Sequence, residues 1–366
     1  MKMSKTLKAL AVSAIFVSST ALAQDEKVVN VYNWSDYIDE SVLADFEKET
    51  GIKVRYDVFD TNELLETKML AGKSGYDVVV PSGSFLSRQI EAGVFQKLDF
   101  SKLPHAKNMW DDVKNVTAVY DPGNEYSVNY MWGTTGIGYN EEKIKEVLGD
   151  DAPTDSLSLI FDPKNIEKLA SCGVHVLDAP TEIIPAALQY LGEDPNSKDV
   201  EVIKKAEDVL LAIRPHVQKF HSSEYINALA NGDICVAFGW SGDVLQARDR
   251  AAEANAGNTI VYKIPKEGAL MWFDQMAVPA DAPNPELAHQ FIDFIMRGYV
   301  AAAASNYVNY ANGNKAAQGL LDDGVINDPA IYPSDETMKN LYSVTAYAPK
   351  VNRVVTRLWT KVKTGQ

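Results

Sequence analysis

Carboxylates and tryptophans recur together near the ends of predicted strands in this sequence. They follow the strands predicted at 28–32, 173–177 and 233–238 and also lie within a strand predicted at 270–278, while serines follow the strand predicted at 76–80. In open α/β sheets, ligands bind in a crevice at the carboxyl ends of the strands. We therefore predict that these segments meet at one site, whose candidate residues are Trp34, Ser35, Asp36, Tyr37, Ser82, Glu182, Trp240, Asp243, Trp272 and Asp274.

This set of residue types suits a flexible aliphatic diamine. Carboxylate and hydroxyl oxygens accept hydrogen bonds from ammonium groups, and an aromatic face attracts a cation by about 0.5 to 2 kcal/mol per contact. A buried ammonium group without a negative partner would be strongly unfavourable, so such a ligand requires acidic residues around it. The candidates thus indicate a site for an organic cation.

Each candidate also has a structural explanation. A serine or acidic residue after a strand often caps the helix that follows, which would account for Ser35, Asp36, Glu182 and Asp243. Ser82, which follows a proline, fits an ordinary turn. Asp274 is harder to explain in this way, because an unpaired carboxylate inside an apolar strand is costly.

Enzyme motifs are weak in this chain. Gly239-Trp240-Ser241-Gly242 lacks the second spacing of G-x-S-x-G, and Gly136-Ile137-Gly138 lacks the third glycine of a dinucleotide loop. Neither H-E-x-x-H nor a Walker loop occurs, and the histidines are scattered. We expect no catalysis, no cofactor and no metal. The enzyme alternative is a secreted glycosidase that uses paired Asp and Glu residues beside tryptophans.

Strands and helices alternate along the chain. Helices are predicted at 41–50, 62–71, 141–148, 165–169, 183–191, 199–213, 222–230 and 285–296, with a further strand at 52–59 and a mixed stretch from 332. This alternation is typical of an α/β fold with mainly parallel sheets flanked by helices. Two domains are predicted, because 366 residues exceed what one hydrophobic core usually serves.

The first 23 residues have the pattern of a secretory signal peptide. Lys2, Lys5 and Lys8 precede an apolar run at 9–17, and Ala21-Leu22-Ala23 provides a cleavage site. The run is too short to cross a bilayer, which disfavours a membrane anchor. We predict cleavage after Ala23 and an exported protein.

The charge and the cysteines agree with an exported, ligand-binding chain. The net charge is −15, which disfavours nucleic acid and attracts cations, although acidity also serves solubility alone. Cys172 and Cys235 are the two cysteines. In an exported protein an even pair favours a disulfide, with two buried free thiols as the alternative.

Several longer stretches resemble one family, the periplasmic polyamine-binding proteins of bacterial ABC transporters, especially the members that bind putrescine. These stretches are VYNWSDYI at 31–38, YMWGTTGIGYN at 130–140, FHSS at 220–223, LANGDICVA at 229–237, IPKEGA at 264–269 and WTKVK at 359–363. The resemblance runs from about residue 28 to residue 366, which is nearly the whole chain after the signal peptide.

The resemblance implies a two-lobed, hinged periplasmic-binding-protein fold of type II, with the ligand in the cleft. One lobe would comprise 24–135 plus 260–308, and the other 136–259 plus 309–366. We expect a periplasmic monomer that delivers a polyamine to an inner-membrane ABC permease and does not bind nucleic acid. A polyamine sensor on the same scaffold is the alternative.

Residue by residue, the resemblance assigns all ten candidates to the ligand and adds Tyr310. At Trp272 the resemblance predicts Phe in putrescine-type members and Trp in spermidine-type members. Asp36 and Asp243, by contrast, match the putrescine type. Putrescine is therefore the favoured ligand, and spermidine or another diamine is the alternative.

Overall fold

The computed structural model describes residues 27–365, so the predicted signal peptide lies outside the described residues. The strands of this part are β1 (Val28–Trp34), β2 (Lys53–Phe59), β3 (Val78–Val79), β4 (Ser127–Asn140), β5 (Val174–Val176), β6 (Lys219–Phe220), β7 (Val236–Trp240), β8 (Ile260–Lys263), β9 (Ala269–Ala277), β10 (Ala311–Asn312) and β11 (Leu341–Tyr342). Most of the predicted strands are confirmed, with ends that differ by a few residues.

The helices of the described part flank these strands. They are α1 (Glu40–Thr50), α2 (Asn62–Ala71), α3 (Gly83–Glu91), α4 (Asp111–Thr117), α5 (Glu141–Leu148), α6 (Ser158–Phe161), α7 (Pro163–Leu169), α8 (Pro180–Tyr190), α9 (Val200–Ile213), α10 (Tyr225–Ala230), α11 (Ser241–Glu253), α12 (Pro285–Ile295), α13 (Gly298–Val308), α14 (Asp323–Ile326), α15 (Asp335–Met338) and α16 (Pro349–Thr364). In these residues no helix is both long and apolar enough to cross a membrane.

One continuous sheet passes through the molecule in the order β2-β1-β3-β9-β4-β7-β5-β6, with β8 and β10 paired to β4 and β11 paired to β9. The pairs at the two ends, such as β1 with β2 and β5 with β7, are parallel. The two central strands, β4 and β9, are antiparallel to each other. The parallel ends are the predicted α/β units, and the antiparallel centre joins them.

The described residues form two separate hydrophobic cores. The first core contains Val31, Phe46 and Ile292, and the second contains Leu188 and Phe238. The long strand β4 enters both, with Tyr130 and Met131 in the first core and Ile137 and Tyr139 in the second. Because β4 and β9 run from one core to the other, we call them the crossover strands.

Local sequence explains the helix ends that frame the site. Asp39 caps α1 by accepting a hydrogen bond from the Ser41 amide, and Gly51 ends that helix with φ 70°. Ser82 precedes α3 but forms no capping bond, so its hydroxyl is free for another partner.

Cys172 and Cys235 form the predicted disulfide in the second core, with 5.4 Å between their Cα atoms.

Candidate ligand-binding site

Ten of the eleven predicted site residues line one cavity of about 360 Å³ between the two cores. Parallel strands end towards this cavity, and the helices that follow them begin there. The lining residues are Trp34, Ser35, Tyr37, Ser82, Glu182, Trp240, Asp243, Trp272, Asp274 and Tyr310. The cavity thus unites segments that lie far apart in sequence.

Asp274 lies on the crossover strand β9 and is 4% exposed. Its Oδ2 atom accepts a hydrogen bond of 2.9 Å from the Tyr37 hydroxyl, and its Oδ1 atom accepts one of 2.6 Å from the Ser82 hydroxyl. Ser82 is close because its backbone forms an antiparallel bridge with Asp274. The Asn62 side-chain amide in turn donates to Ser82 at 3.0 Å.

Asp243 lies in the first turn of α11 and is 5% exposed. The hydroxyls of Tyr225 and Tyr310 each donate to it at 2.7 Å, one to each carboxylate oxygen. A helix N-terminus favours a negative charge through its backbone dipoles. The position of Asp243 therefore stabilises its ionised form, and its hydroxyl partners fix both oxygens.

Glu182 is the third buried carboxylate and lies in the first turn of α8. The indole Nε1 of Trp240 donates to both of its oxygens at 2.9 and 3.0 Å, and the Thr135 hydroxyl also donates to it. Thr135 belongs to β4, so its hydrogen bond with Glu182 joins α8 of the second core to this crossover strand.

Aromatic rings form the walls between these carboxylates. Trp34, from the first core, packs edge-on against Trp240 with 5.4 Å between ring centroids. Tyr310 packs against Tyr37 at 5.1 Å and against Trp272 at 5.3 Å. These rings and the three carboxylates line the same cavity.

Two glycines make room for these rings. A Cβ atom at Gly242 would lie 2.5 Å from the ring of Tyr310, and one at Gly133 would lie 2.7 Å from the ring of Trp272. A side chain at either position would displace a ring from the cavity wall. Gly133 and Gly242 thus serve packing at this site.

Burial controls the electrostatics of the empty cavity. Loss of hydration raises the pKa of Glu182, Asp243 and Asp274 to about 7, although the hydrogen bonds that they accept act in the opposite direction. In the described part of the chain, none of the three forms an ion pair with a basic residue, although Arg250, which is paired with Asp36, lowers the pKa of Asp243 slightly against the effect of burial. Each carboxylate oxygen has two lone-pair directions, so each of the three groups can accept further hydrogen bonds. The cavity is therefore suited to a cationic guest.

Asp36 is the predicted site residue that does not line the cavity. It adopts φ 51° in the turn after β1, and its carboxylate forms an ion pair of 2.6 Å with Arg250. The Gln246 side-chain amide donates to the Asp36 carbonyl at 3.1 Å. Because Arg250 and Gln246 belong to α11, these contacts join the first and second cores beside the cavity. A direct role of Asp36 in ligand binding stays a prediction.

The sequence did not reveal the residues that hold the carboxylates in place. Tyr225, Thr135 and Asn62 lie in a helix, a buried strand and a helix start, and their local patterns resemble ordinary core or surface positions. Arg250 lies on a charged helix face, where it gives no signal of a partner on the other core. Tyr225, which follows the FHSS stretch at 220–223, is the one weak signal in the sequence of a residue that holds a carboxylate.

A model of the family described as bacterial extracellular solute-binding proteins matches residues 41–333. This match covers most of the chain. The chain belongs to the bacterial extracellular solute-binding proteins. The prediction of a binding protein in place of an enzyme is confirmed by this match and by the relatives described next.

Two relatives of this solute-binding protein carry binding functions in their names. This chain is 55% identical over 362 residues to the putrescine-binding periplasmic protein SpuD of Pseudomonas aeruginosa, and the match covers 99% of this chain and 98% of that protein. It is 53% identical over 364 residues to the putrescine-binding periplasmic protein PotF of Escherichia coli, with coverage of 99% and 98%.

Solved structures agree with the predicted fold of the solute-binding protein. The spermidine/putrescine ABC transporter substrate-binding protein PotD of Streptococcus pneumoniae is 29% identical, with a TM-score of 0.74 and coverage of 93% of this chain and 99% of that chain. The Tp0655 lipoprotein of Treponema pallidum is 27% identical, with a TM-score of 0.76 and coverage of 92% and 100%. The predicted two-lobed periplasmic-binding-protein fold is confirmed.

Proposed function

We propose that this solute-binding protein captures a polyamine, with putrescine favoured, in the cavity between its cores and delivers it to an ABC importer. The observation that carries this proposal is the set of three buried carboxylates, Glu182, Asp243 and Asp274, which line an aromatic cavity and form no ion pair within residues 27–365. Ionised carboxylates in that position are costly until a cation joins them. A dication with an apolar centre supplies the missing charge.

In the proposed complex, the Asp274 carboxylate accepts one ammonium group while Tyr37 and Ser82 hold it in place. The carboxylates of Glu182 and Asp243 accept the other ammonium group from the second core. The rings of Trp34, Trp240, Trp272 and Tyr310 enclose the methylene chain, and Ser35 lines the cavity beside Trp34. Asp36 contributes by joining the two cores through Arg250.

Closure follows from the distribution of these contacts. Asp274 is held by first-core side chains, whereas Glu182 and Asp243 belong to second-core helices. A ligand that touches both groups binds the closed form better than an open one, and only such a difference in affinity shifts the equilibrium towards closure. The closed form is then the one that the importer recognises.

One comparison supports a short diamine over a longer polyamine. Two relatives that are more than half identical are named for putrescine. The resemblance associates Trp272 with spermidine-type members, so both ligands are compared in the titration described below.

The proposed setting is the periplasm, with the signal peptide removed after Ala23 and the mature chain acting as a monomer that does not bind nucleic acid. Its lobes would be 24–135 plus 260–308 and 136–259 plus 309–366, with one change. Ile260 and Tyr262 pack in the second core and pair with β4 at 137–140, which supports assigning β8 to the second lobe.

Titration calorimetry tests the proposal. Ligand-stripped, refolded protein is titrated with putrescine, cadaverine, spermidine, spermine and agmatine, and with an amino acid and a sugar as controls. We expect saturable binding of putrescine well above the other amines and none of the controls. A preference for spermidine would transfer the assignment to that ligand, and folded protein that binds no amine would refute the proposal.

A further inference from the structure

A second and larger groove lies on the opposite face of the crossover strands from the ligand cavity. Its volume is about 780 Å³, and we call it the back groove. One side is formed by Trp110 and α4, the floor by β4 and β9, and the other side by the segment 332–338. None of the predicted site residues lines it.

Aromatic rings dominate the back groove. Trp132 stacks on Phe273 with 6.2 Å between centroids and meets Tyr332 edge-on at 5.8 Å. Trp132 and Phe273 are buried, whereas Trp110 and Tyr332 are half-buried and present part of their rings to the groove.

The charges at the back groove have one sign. Asp112, on α4, and Asp335, at the start of α15, line it from opposite sides, and the described lining includes no basic residue. The nearby Lys114 forms its ion pair with Asp111, which lies outside the lining. Aromatic faces and carboxylates together select a cation with an apolar body.

The back groove and the ligand cavity share their dividing wall. Side chains alternate between the two faces of a strand, and on β9 the neighbours Met271 and Phe273 line the groove while Trp272 and Asp274 line the cavity. On β4, Trp132 lies opposite Phe273, and Gly133 lies opposite Trp272. A guest in the groove therefore contacts the strands that carry the ligand residues.

We propose that the back groove is a second binding site, for a small organic monocation with an aromatic or branched apolar body. The aromatic rings would hold the apolar body, and Asp112 and Asp335 would face the cation. This site is separate from the ligand cavity, because none of the cavity-lining residues lines the groove.

The probe that tests this site is 2-phenylethylamine, with the neutral 2-phenylethanol as its uncharged counterpart. The protein is first saturated with putrescine so that the cavity is occupied, and the probe is then titrated by calorimetry. We expect saturable binding of the amine, weaker binding of the alcohol, and about tenfold weaker amine binding in the double variant Asp112→Asn/Asp335→Asn.

Matched controls separate the groove from general acidity. Asp111→Asn and Glu336→Gln remove neighbouring exposed carboxylates that do not line the groove, so the double control variant should bind the probe as the wild type does. Val116→Trp fills the groove from α4 and should abolish probe binding. Equal binding in the wild type and the Asp112/Asp335 variant, or no saturation at millimolar concentrations, would overturn the proposal.

The putrescine titration without probe tests the proposed function separately, so failure of one proposal is distinguishable from failure of the other. Self-association of the chain that Val116→Trp abolishes would show that the groove docks a second copy of the chain, and it would refute the proposed cation site.

Discussion

The strongest consequence of the buried carboxylates is that ligand binding depends on pH. In the empty cavity the pKa of Glu182, Asp243 and Asp274 is about 7, so each carries a proton in mildly acidic solution. A bound dication favours the ionised forms and lowers these pKa values. Ligand ammonium groups, like lysine with a pKa of about 10.4, stay charged throughout this range. Lowering the pH should therefore weaken binding and cause proton release on binding.

The magnitude follows from the pKa values. At pH 8 a group with a pKa of about 7 is mostly ionised, whereas at pH 6 about nine in ten molecules hold the proton and must lose it to bind the dication. Each carboxylate that ionises on binding thus lowers the affinity about tenfold between pH 8 and pH 6, which corresponds to about 1.4 kcal/mol. Two carboxylates match the two charges of the dication: Asp274 and one of the pair Glu182 and Asp243. If these two ionise on binding, the loss of affinity is about a hundredfold.

Calorimetry in pairs of buffers with different ionisation enthalpies measures both effects. The apparent binding enthalpy at pH 6 should change with the buffer in proportion to the protons released, about one for each carboxylate that ionises on binding. At pH 8 this dependence should nearly vanish. The Asp274→Asn variant provides the matched control, because its residual binding should release one proton fewer at pH 6.

Constant affinity between pH 6 and pH 8, with no dependence on buffer, would refute this reasoning. The three carboxylates would then already be ionised in the empty cavity. Burial would not control their charge, and the tyrosine, serine and tryptophan donors would suffice to keep them ionised.

Three further changes give defined outcomes. Burial raises the pKa of Asp274 from its usual 3.8 to about 7, which destabilises the ionised form by about 4 kcal/mol. At pH 8, Asp274→Asn should therefore raise the unfolding free energy of the ligand-stripped protein by up to that amount. Thermal denaturation should show that this gain fades between pH 7 and about pH 4, because the wild-type carboxyl becomes protonated there. Replacing Cys172 and Cys235 by alanine should lower the unfolding free energy by up to about 4 kcal/mol, with unchanged putrescine affinity because neither residue lines the cavity. Arg250→Gln removes the partly exposed ion pair with Asp36, which is worth less than about 1 kcal/mol, so stopped-flow fluorescence should show dissociation of putrescine accelerated by less than about fivefold.

The fold was predictable where hydrophobic periodicity is local. Helices such as 141–148 and 199–213 have one apolar face, and the structure has them within a residue of the predicted bounds. The crossover strand β4 was not predicted, because all of its 14 residues are buried and no alternation distinguishes its faces. The helix α16 was also missed within the stretch predicted as mixed, although its buried residues Val355, Leu358, Trp359 and Val362 recur at the spacing of one helix face.

The site was predictable in composition but not in its internal contacts. Strand ends indicated Trp34, Asp243 and Asp274 because such ends converge in α/β sheets. The position of Asp36 was not predictable, because a turn residue with φ 51° directs its side chain away from its neighbours. Nor does any local pattern indicate that the Tyr225 hydroxyl reaches Asp243, since that contact depends on how α10 packs on α11.

The claim that carboxylates on both sides of the cavity each hold one ammonium group is tested most directly by comparing putrescine with butylamine. Both are titrated at pH 8 against ligand-stripped protein in the same calorimeter; they share the four-carbon chain and differ in the second ammonium group. A charge-assisted hydrogen bond contributes roughly 1.5 to 3 kcal/mol, and loss of the cation also leaves a buried carboxylate unpaired. We predict that butylamine binds at least about a hundredfold more weakly than putrescine. Comparable affinities would contradict the account, because the second set of carboxylates would then contribute nothing to capture of the ligand.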